Sequence, residues 1–487
     1  RLYPVLSGIK RTFDPGNRLN PGKIVTPDPS GSGVTAVDGV PFRGEFDSHI
    51  PTEDQARWAK ALECNGNGVC FDWSATTTIC PSYKVTRDRV HSPKGRADLL
   101  REWLRREAAS QPVWGVDNQQ ERDRFAREVY TALHGCLGCK ACASQCPVQV
   151  DIPTLRSRFL QRYHRRYHRP LRDQLIARIE ALAPLLSWWP RFTNGLLQTP
   201  WLRLAIGRLA GLADFPAVAE RSFVKRLAAD GIKPSAPADI LAASRRSGGK
   251  TVALLQDAFT SHFDADVAMA GYRLLKALGY DVHVLPYLPS GKAEHVRGFL
   301  TRFQRTGQRL LTTLRPLVQA EIPIIGIEPS IVLCLRQEYR LELGEAIPVQ
   351  LIQEWLAEQA LDALAAQAVT APAAEYRLAP HCTEKTALPQ TAQQWQRIFA
   401  ATGLQLKDVP TGCCGMSGTY GHETEHQQES RQLYAMSWQE PVREYGQRLL
   451  ATGFSCRCQA QRLDNQRLPH PLEVLVARLP EREMERL

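Results

Sequence analysis

The sequence lacks any long apolar run free of charge, and it has little cysteine for its length. The most apolar stretch, Leu317–Leu335, carries Glu321 and Glu328, so a transmembrane helix is excluded. Thirteen cysteines among 487 residues are too few for a disulfide-stapled fold. Seven of them nevertheless lie between Cys64 and Cys146, which is typical of metal sites in a reducing compartment. No secretory signal is visible, so we expect a cytoplasmic location.

Acidic residues are absent from Arg156–Arg172, a stretch that holds seven arginines in a chain of net charge +11. Trp188, Trp189 and Trp201 follow in a leucine-rich segment. Basic amphipathic helices with aromatic residues are typical of surfaces that contact anionic lipid, which would make residues 156–210 a peripheral contact with the inner membrane. A solvated, salt-bridged helical face is the other interpretation, and both stay open. No nucleic-acid-reading motif is present, so no nucleic-acid partner is expected.

The strongest motif is Cys136-x2-Cys139-x2-Cys142-x3-Cys146-Pro147. This is the bacterial ferredoxin spacing for a [4Fe–4S] cluster, in which three thiolates hold one cluster and the fourth cysteine holds another. The proline ends the loop because it fixes φ and removes a donor. Zinc ligands usually come as separate C-x2-C pairs, so zinc fits this run poorly.

A second, incomplete run lies upstream at Cys64, Cys70 and Cys80. Asn67 occupies the position that the middle cysteine of a ferredoxin run would have. In the interleaved arrangement, Cys80 completes the first cluster, and Cys146 joins the two remaining upstream thiolates. The second cluster then has three thiolates, so either another group supplies the fourth bond or the cluster is incomplete or absent.

A third set of cysteines lies about 240 residues further on, and it consists of Cys382, Cys413, Cys414 and Cys456, with Cys458 nearby. Adjacent cysteines do not easily share one face of a cubane. The set therefore suits an unusual iron–sulfur centre or a redox thiol site. Buried structural cysteine is the plainer alternative, because such long gaps carry little spacing information.

The sequence contains an internal repeat with an offset of 124 residues, and the third set of cysteines lies in its second copy. The run Thr251–Leu255 predicts a strand, and a helix and a second strand follow it in a βαβ pattern. On this offset, Ala258 corresponds to Cys382, and the segment 289–291 to Cys413-Cys414-Gly415. The first copy therefore lacks the thiols of the second. The ungapped offset pairs Cys334 with Cys458, whereas one gap pairs Ile331 with Cys456, and whether Cys334 and Cys458 are ligands stays open.

The segment His422-Glu423-Thr424-Glu425-His426 satisfies the pattern of zinc proteases. On a helix it would place both imidazoles on one face, with Glu423 as the base. A pattern of five residues is easily met by chance in a chain of this length, so we do not expect a protease.

The third set of cysteines resembles the CCG domain found in heterodisulfide reductase, in the glycolate oxidase iron–sulfur subunit and in anaerobic glycerol-3-phosphate dehydrogenase. The opening segment with Asn20, Gly22 and Lys23 is similar to the last turn of the FAD-linked oxidase fold. Together with the ferredoxin run, the whole chain resembles the C-terminal half of the large bacterial FAD-linked D-2-hydroxyglutarate dehydrogenases. It departs from the wider CCG group in the thiol-free first repeat and in Cys456-x-Cys458, where Cys-x2-Cys is usual.

The resemblance implies a mixed α and α/β fold, in which an all-helical ferredoxin domain precedes two duplicated α/β units of CCG type. The expected parts are an oxidase tail (1–27), a linker (28–55), the ferredoxin domain (56–172), a basic amphipathic connector (173–245), a degenerate CCG-like repeat (246–350), a helical linker (351–375) and the CCG domain (376–480).

The resemblance also implies a function, namely electron transfer. A flavin half of the same polypeptide, with the substrate site upstream of Arg1, would oxidise a D-2-hydroxy acid with FAD. The chain would then pass the electrons through [4Fe–4S] clusters to a quinone or a similar acceptor. Expected metal ligands are Cys64, Cys70, Cys80, Cys136, Cys139, Cys142, Cys146, Cys382, Cys413, Cys414 and Cys456; Asn20, Gly22 and Lys23 would lie at the flavin. Glycolate, D-lactate or glycerol 3-phosphate as the fuel, or a non-catalytic module with structural metal, are the alternatives.

Overall fold

The computed structural model describes residues 2–28, 44–108, 119–367 and 374–479. Parts of the two predicted linkers, 29–43 and 368–373, lie outside the described residues.

The chain begins with a helical part that contains the upstream cysteines. Its helices are α1 (Tyr3–Phe13), α2 (Thr52–Leu62), α3 (Pro81–Thr86), α4 (Pro93–Ala108), α5 (Gln119–His134), α6 (Ala141–Ser144) and α7 (Ile152–Tyr163). Proline at the first turn begins α3, α4 and α7, where a missing N–H costs nothing. Trp58, Trp103 and Phe159 pack edge to face in the core of this part, and they fix α2, α4 and α7 around the thiols.

Six further helices connect this part to the first sheet. They are α8 (Leu171–Ala177), α9 (Ile179–Leu186), α10 (Pro190–Gln198), α11 (Pro200–Ala210), α12 (Phe223–Ala229) and α13 (Pro237–Ser244). None of the helices in the described ranges is both long enough and apolar enough to cross a membrane.

Two small parallel sheets follow. The first α/β unit contains β1 (Thr251–Leu254), α14 (Ala258–His262), α15 (Ala265–Ala277), β2 (Asp281–Val284), α16 (Lys292–Val296), α17 (Leu300–Gln319), β3 (Ile324–Gly326), α18 (Pro329–Arg336), α19 (Glu338–Leu343) and β4 (Gln350–Leu351). After α20 (Ile352–Gln359) and α21 (Leu361–Ala366), the second α/β unit contains β5 (Glu375–Ala379), α22 (Cys382–Ala387), α23 (Thr391–Ala401), β6 (Gln405–Asp408), α24 (Gln427–Ser437), α25 (Gln439–Tyr445), β7 (Leu449–Ala451), α26 (Phe454–Asp464) and α27 (Pro471–Val476). The predicted mixed α and α/β class is confirmed.

The strand orders are β2-β1-β3-β4 and β6-β5-β7, and all neighbouring strands are parallel. Strands β1 and β5 begin 124 residues apart, as do β2 and β6, whereas β3 and β7 begin 125 apart. Val252 and Leu254 share one core with Leu378 and Leu450, so the two sheets are packed into a single body. Because parallel strands end at the same edge, the segments that follow β5, β6 and β7 meet there.

Candidate metal centres

Four thiols line one cavity in the helical part, and we call them the first centre: Cys80, Cys136, Cys139 and Cys142. Cys136 and Cys139 come from the loop between α5 and α6, Cys142 lies in the first turn of α6, and Cys80 directly precedes α3. Gly138 and Lys140 both have positive φ, at 70° and 62°, which winds the loop tightly around the cavity. The cavity therefore brings together the set that the interleaved ferredoxin arrangement assigns to one cluster.

Two thiols of the first centre lie at the beginnings of helices, namely Cys80 before α3 and Cys142 in the first turn of α6. Backbone N–H groups of Ser82 and Tyr83 in α3 donate to the Cys80 sulfur, and the N–H of Ile152 in α7 donates to Cys142. Such N–H groups favour an anion. Burial has the larger effect, and it raises the pKa of both thiols. A bound metal ion reverses that balance because it binds the thiolate form.

Buried cations surround the first centre, and the sequence analysis missed them. Arg96 Nη1 lies 3.9 Å from Cys80 Sγ, and Arg156 donates a 2.7 Å bond to the Cys136 carbonyl. The Lys84 ammonium is buried beside Thr77, and burial lowers its pKa. These cations offset the negative charge of clustered thiolates. Buried and exposed arginines look alike in a helical sequence pattern, so nothing in the sequence marked Arg96 and Arg156 as buried.

The second centre, Cys64, Cys70 and Cys146, lies nearer the surface. Cys70 accepts from the backbone N–H of Lys94 in the first turn of α4, and it interacts electrostatically with Cys64. Asn67 lies between Cys64 and Cys70 in the sequence, and its side chain is exposed. Its side-chain amide donates to Cys146 Sγ over 3.8 Å. Its Oδ1 accepts the Val69 N–H at 3.0 Å. Asn67 is thus oriented as a donor to sulfur, with its oxygen used by the loop.

The third centre consists of four buried thiols at the carboxyl edge of the second sheet, and these are Cys382, Cys413, Cys414 and Cys456. Their sulfurs form a hydrogen-bonded chain in that order. Gly415 also donates its N–H to Cys413 Sγ at 3.4 Å. With φ of 83° and the Ser430 carbonyl pressed against the place of a Cβ, position 415 accepts only glycine.

Two polar side chains support the third centre from within the protein. Lys385 is half-buried, donates to the Thr411 hydroxyl at 3.0 Å and interacts electrostatically with Cys382. His381 is buried, and burial lowers its pKa to about 3, so its imidazole is neutral. The positive charge of Lys385 therefore offsets part of the negative charge that an ionised Cys382 sulfur would carry.

The three centres lie next to one another although they are far apart in the sequence. Cys70 of the second centre interacts electrostatically with Cys80 of the first. Cys139 of the first centre interacts in the same way with Cys382 of the third. Thr386 in α22 donates to the Cys139 carbonyl at 3.3 Å, which ties the ferredoxin-type loop to the third centre. The order in space is second, first, third.

The sequence left open whether Cys334 and Cys458 are metal ligands. The structure places neither thiol in the three centres. Cys334 is fully buried in the core of the first α/β unit, beside Glu338 and Lys292. Cys458 lies 3.9 Å from His422 Nε2, and burial raises its pKa to about 12.

The protease-like segment does not form a helix. It consists of two short 3-10 turns separated by extended Glu423. His426 pairs with His134 at 2.9 Å, and the carboxylates of Glu423 and Glu425 are within metal-binding distance of both rings. Arg172 and Arg297 form ion pairs with these carboxylates, so the charge that a metal ion needs is already neutralised. The arrangement is an ion-pair network.

Six of the seven clustered arginines have partners inside the protein, which favours the salt-bridged interpretation over the membrane interpretation for this stretch. These contacts are Arg156 to the Cys136 carbonyl, Arg158 to Glu342, Arg162 to Asp54, Arg166 to Asp123, Arg169 to the Arg297 carbonyl and Arg172 to Glu425. Arg156 and Arg172 are buried. Most of these side chains therefore join parts of the protein and do not form a free basic surface.

The opening segment forms α1 and a turn. The Asp14 carboxylate accepts the N–H groups of Arg18 and Leu19 at 2.8 and 2.9 Å, and these bonds hold the turn that presents Asn20, Gly22 and Lys23. Lys10 also bonds to Asp14, and this bond is the largest cause that lowers the pKa of Asp14 to about 2.

Cysteine spacing and the convergence of four thiols on one cavity together indicate an iron–sulfur site in the helical part of the chain. Residues 60–150 match the family described as the 4Fe-4S dicluster domain, so this part of the chain is an iron–sulfur cluster domain. Two proteins named D-2-hydroxyglutarate dehydrogenase, from Pantoea ananatis and Escherichia coli, are 43% and 40% identical to the chain over 98% of its length. The chain spans about half the length of these curated relatives, 49% in each case. The glycolate oxidase iron–sulfur subunit of Escherichia coli is 25% identical over 78% of the chain and 87% of that subunit. No solved structure matches the chain.

Proposed function

We propose that the chain is the iron–sulfur part of a FAD-linked D-2-hydroxyglutarate dehydrogenase, and that it conducts electrons from the flavin to a quinone or a similar acceptor. Oxidation of a 2-hydroxy acid to a 2-oxo acid releases two electrons and two protons, and a bound iron–sulfur cluster carries one electron at a time. The observation that carries the proposal is that the three thiol centres are close enough to interact electrostatically in turn, which supports one electron path through the protein. The names of the relatives support the substrate.

In this proposal, the four thiols of the first centre hold a [4Fe–4S] cluster. The convergence of these thiols on one cavity supports the assignment. Arg96 and Lys84 then stabilise the anionic cluster and raise its reduction potential, because protein charge and hydrogen bonds to sulfur are the means by which a protein tunes a cluster.

The second centre has three thiolates, and we propose that Asn67 donates a hydrogen bond to Cys146 instead of binding iron. This is supported by the direction of the Asn67 amide and by the bond that occupies its oxygen. Three thiolates suit a cluster of [3Fe–4S] type or a cluster with one iron that lacks a cysteine ligand.

The third centre is proposed to hold metal and not to work as a free redox thiol pair. Redox-active thiols need a lowered pKa. Here a hydrogen bond with Cys413 and burial raise the pKa of Cys382 instead. A metal ion would ionise these sulfurs, and Lys385 would balance part of the charge. The near-constant offset between the strands of the two α/β units supports the predicted duplication, with thiols kept in the second unit.

The flavin part is proposed to pack against α1 and its turn. Leu2, Val5, Leu6, Ile9 and Phe13 are exposed on this helix, with Phe13 exposed by 81%. Such an apolar stripe on a short helix is typical of a surface that another part of a protein covers.

A second candidate is the iron–sulfur subunit of an enzyme that oxidises glycolate or D-lactate. The similarity to the glycolate oxidase iron–sulfur subunit supports it, and that similarity covers most of both chains.

The test uses the complete polypeptide that contains this chain, with FAD and iron bound. Anaerobic D-2-hydroxyglutarate should bleach the visible absorbance of the clusters, whereas glycolate and D-lactate should not. In a Cys139→Ser variant the flavin should still be reduced, while electrons should no longer reach a soluble quinone. Cys334→Ser is the matched control, because that thiol lies outside the three centres. Bleaching by glycolate alone would favour the second candidate.

A further inference from the structure

The segment of helices α9 to α11 carries a set of exposed apolar side chains, which we call the aromatic face: Leu185, Trp188, Trp189, Phe192, Leu196, Trp201, Leu204 and Leu209. The four aromatic residues are each exposed by 65–71%, and Leu209 by 80%. Single exposed apolar residues are common on proteins, but so many in one short segment mark a surface that binds something.

The exposed charge along the segment that carries the aromatic face has one sign. Arg178, Arg191, Arg203 and Arg208 are exposed along the same segment. No aspartate or glutamate occurs between Glu180 and Asp214. This set of arginines is distinct from the earlier stretch, where six of seven are bound within the protein.

The opposite side of the segment is fixed to the protein, so the exposure does not come from a loosely attached helix. The Glu180 carboxylate accepts the N–H groups of Ser290, Gly291 and Ala293 at 2.5, 3.2 and 3.2 Å. Lys225 donates to the Trp188 carbonyl at 2.8 Å. One side is therefore bound at defined positions, while the other carries the tryptophans outward.

We propose that the aromatic face docks on the surface of an anionic lipid bilayer. Tryptophan prefers the zone between headgroups and acyl chains, and arginine pairs with anionic headgroups, so both halves of the pattern fit one partner. A second copy of the chain fits less well, because a twofold contact would place the like-charged arginines against one another.

The position of the face also suits the proposed electron path, and this step rests on the proposed function. Leu186 of α9 packs in one apolar cluster with Phe259 and Phe454. Phe259 and Phe454 stack with ring centres 5.1 Å apart, and Cys456 of the third centre lies two residues further on. Docking would therefore hold the third centre close to quinone dissolved in the bilayer.

Vesicle flotation of the iron-loaded protein tests the docking without substrate. Binding to vesicles of phosphatidylglycerol should exceed binding to neutral phosphatidylcholine and should weaken as salt is added. Trp188→Ser with Trp189→Ser should weaken binding by about tenfold or more. Each of Arg191→Gln and Arg203→Gln should weaken it by roughly fivefold.

Two control variants carry the same chemistry on other exposed helices. Leu341→Ser in α19 removes an apolar side chain that is 51% exposed, and Arg309→Gln removes an exposed arginine of α17. Neither should change flotation. Equal flotation with neutral vesicles, or a dimer that the tryptophan variant dissolves while vesicles bind nothing, would overturn the proposal. Neither result would bear on whether D-2-hydroxyglutarate reduces the clusters.

Discussion

The two α/β units use the same edge of a similar parallel sheet for different purposes. In the second unit, the segments after β5, β6 and β7 carry thiols. In the first unit, the corresponding edge has Asp257, Ser290 and Ile331, and the carboxylate of Glu180 enters from the connector. The loop that corresponds to Cys413-Cys414-Gly415 thus keeps backbone N–H groups that bind an anion. The difference teaches that the first unit presents anion-binding N–H groups where the second presents thiols, and these N–H groups hold the connector helix α9.

The largest expected effect comes from removing a thiol in the second unit only. Cys414→Ser should lower the iron and acid-labile sulfide per chain by the amount that the third centre holds in the wild-type protein. It should also reduce quinone reduction by the complete enzyme by roughly 100-fold, because the path ends there. Metal analysis and steady-state rates measure both effects.

Ser290→Ala is the matched change in the first unit, because this residue occupies the corresponding loop. Iron content should stay at the wild-type value. An equal loss of iron in the two variants would mean that the first unit also holds metal, and the comparison would fail.

A large loss of stability should follow from Glu180→Ala. Three N–H groups, two of them in buried hydrogen bonds, would lose their acceptor, which costs about 4 kcal/mol in the free energy of unfolding. Glu180→Gln keeps one acceptor oxygen and should cost less. Urea unfolding measures both, and iron content should not change in either variant. A loss of less than about 1 kcal/mol in Glu180→Ala would show that the first unit does not use its loop to hold the connector.

The junction between the two units should depend on pH. Burial, and next the charge of Asp257, raise the pKa of Glu328 from 4.5 to about 7, while Arg457 acts in the opposite direction. Glu328 also accepts the N–H of Phe454 at 3.0 Å. The folded state therefore keeps a proton that the unfolded chain loses, so stability falls as the pH rises from about 4.5 to 7, by roughly 3 kcal/mol in total.

Glu328→Gln should remove this slope while keeping an acceptor for Phe454. Unfolding free energies at pH 5 and pH 7.5 give the slope for both proteins. If the variant keeps the full slope, the titrating group lies elsewhere, and the junction is not pH-dependent through Glu328.

Short-range patterns in the sequence were enough to predict much of this molecule. The spacing of Cys136, Cys139 and Cys142 encodes a loop, and the loop indeed brings them to one cavity with Cys80. The run Thr251–Leu255 indicated a strand, and β1 covers four of its five residues. Both signals lie within a few residues, where geometry follows directly from spacing.

Long-range contacts could not be predicted in the same way. Glu180 is one glutamate in a helical segment, and only the fold brings the loop 290–293 to it. The contact between Cys139 and Thr386 likewise depends on how the helical part packs against the second sheet. The sequence left two interpretations of the arginine stretch open, because it shows charge but not the carboxylates and carbonyls that face the arginines.

The smallest expected effect concerns the second centre, where the ferredoxin-type domain has one thiol fewer than a complete ferredoxin run. The first α/β unit lacks every thiol of its counterpart, whereas the second centre lacks one, at Asn67. Asn67→Cys should restore the full spacing and convert a three-iron EPR signal of the oxidised protein into a four-iron signal of the reduced one. Asn67→Ala should keep the three-iron signal but lower its reduction potential, since Cys146 loses a hydrogen bond. Asn65→Ala removes only the side chain that accepts from the Asn67 amide at 2.8 Å, so it should leave the cluster type unchanged in both states. A four-iron signal in the wild type that Asn67→Ala abolishes would instead make Asn67 a ligand, and the second centre would then be complete without a fourth thiol.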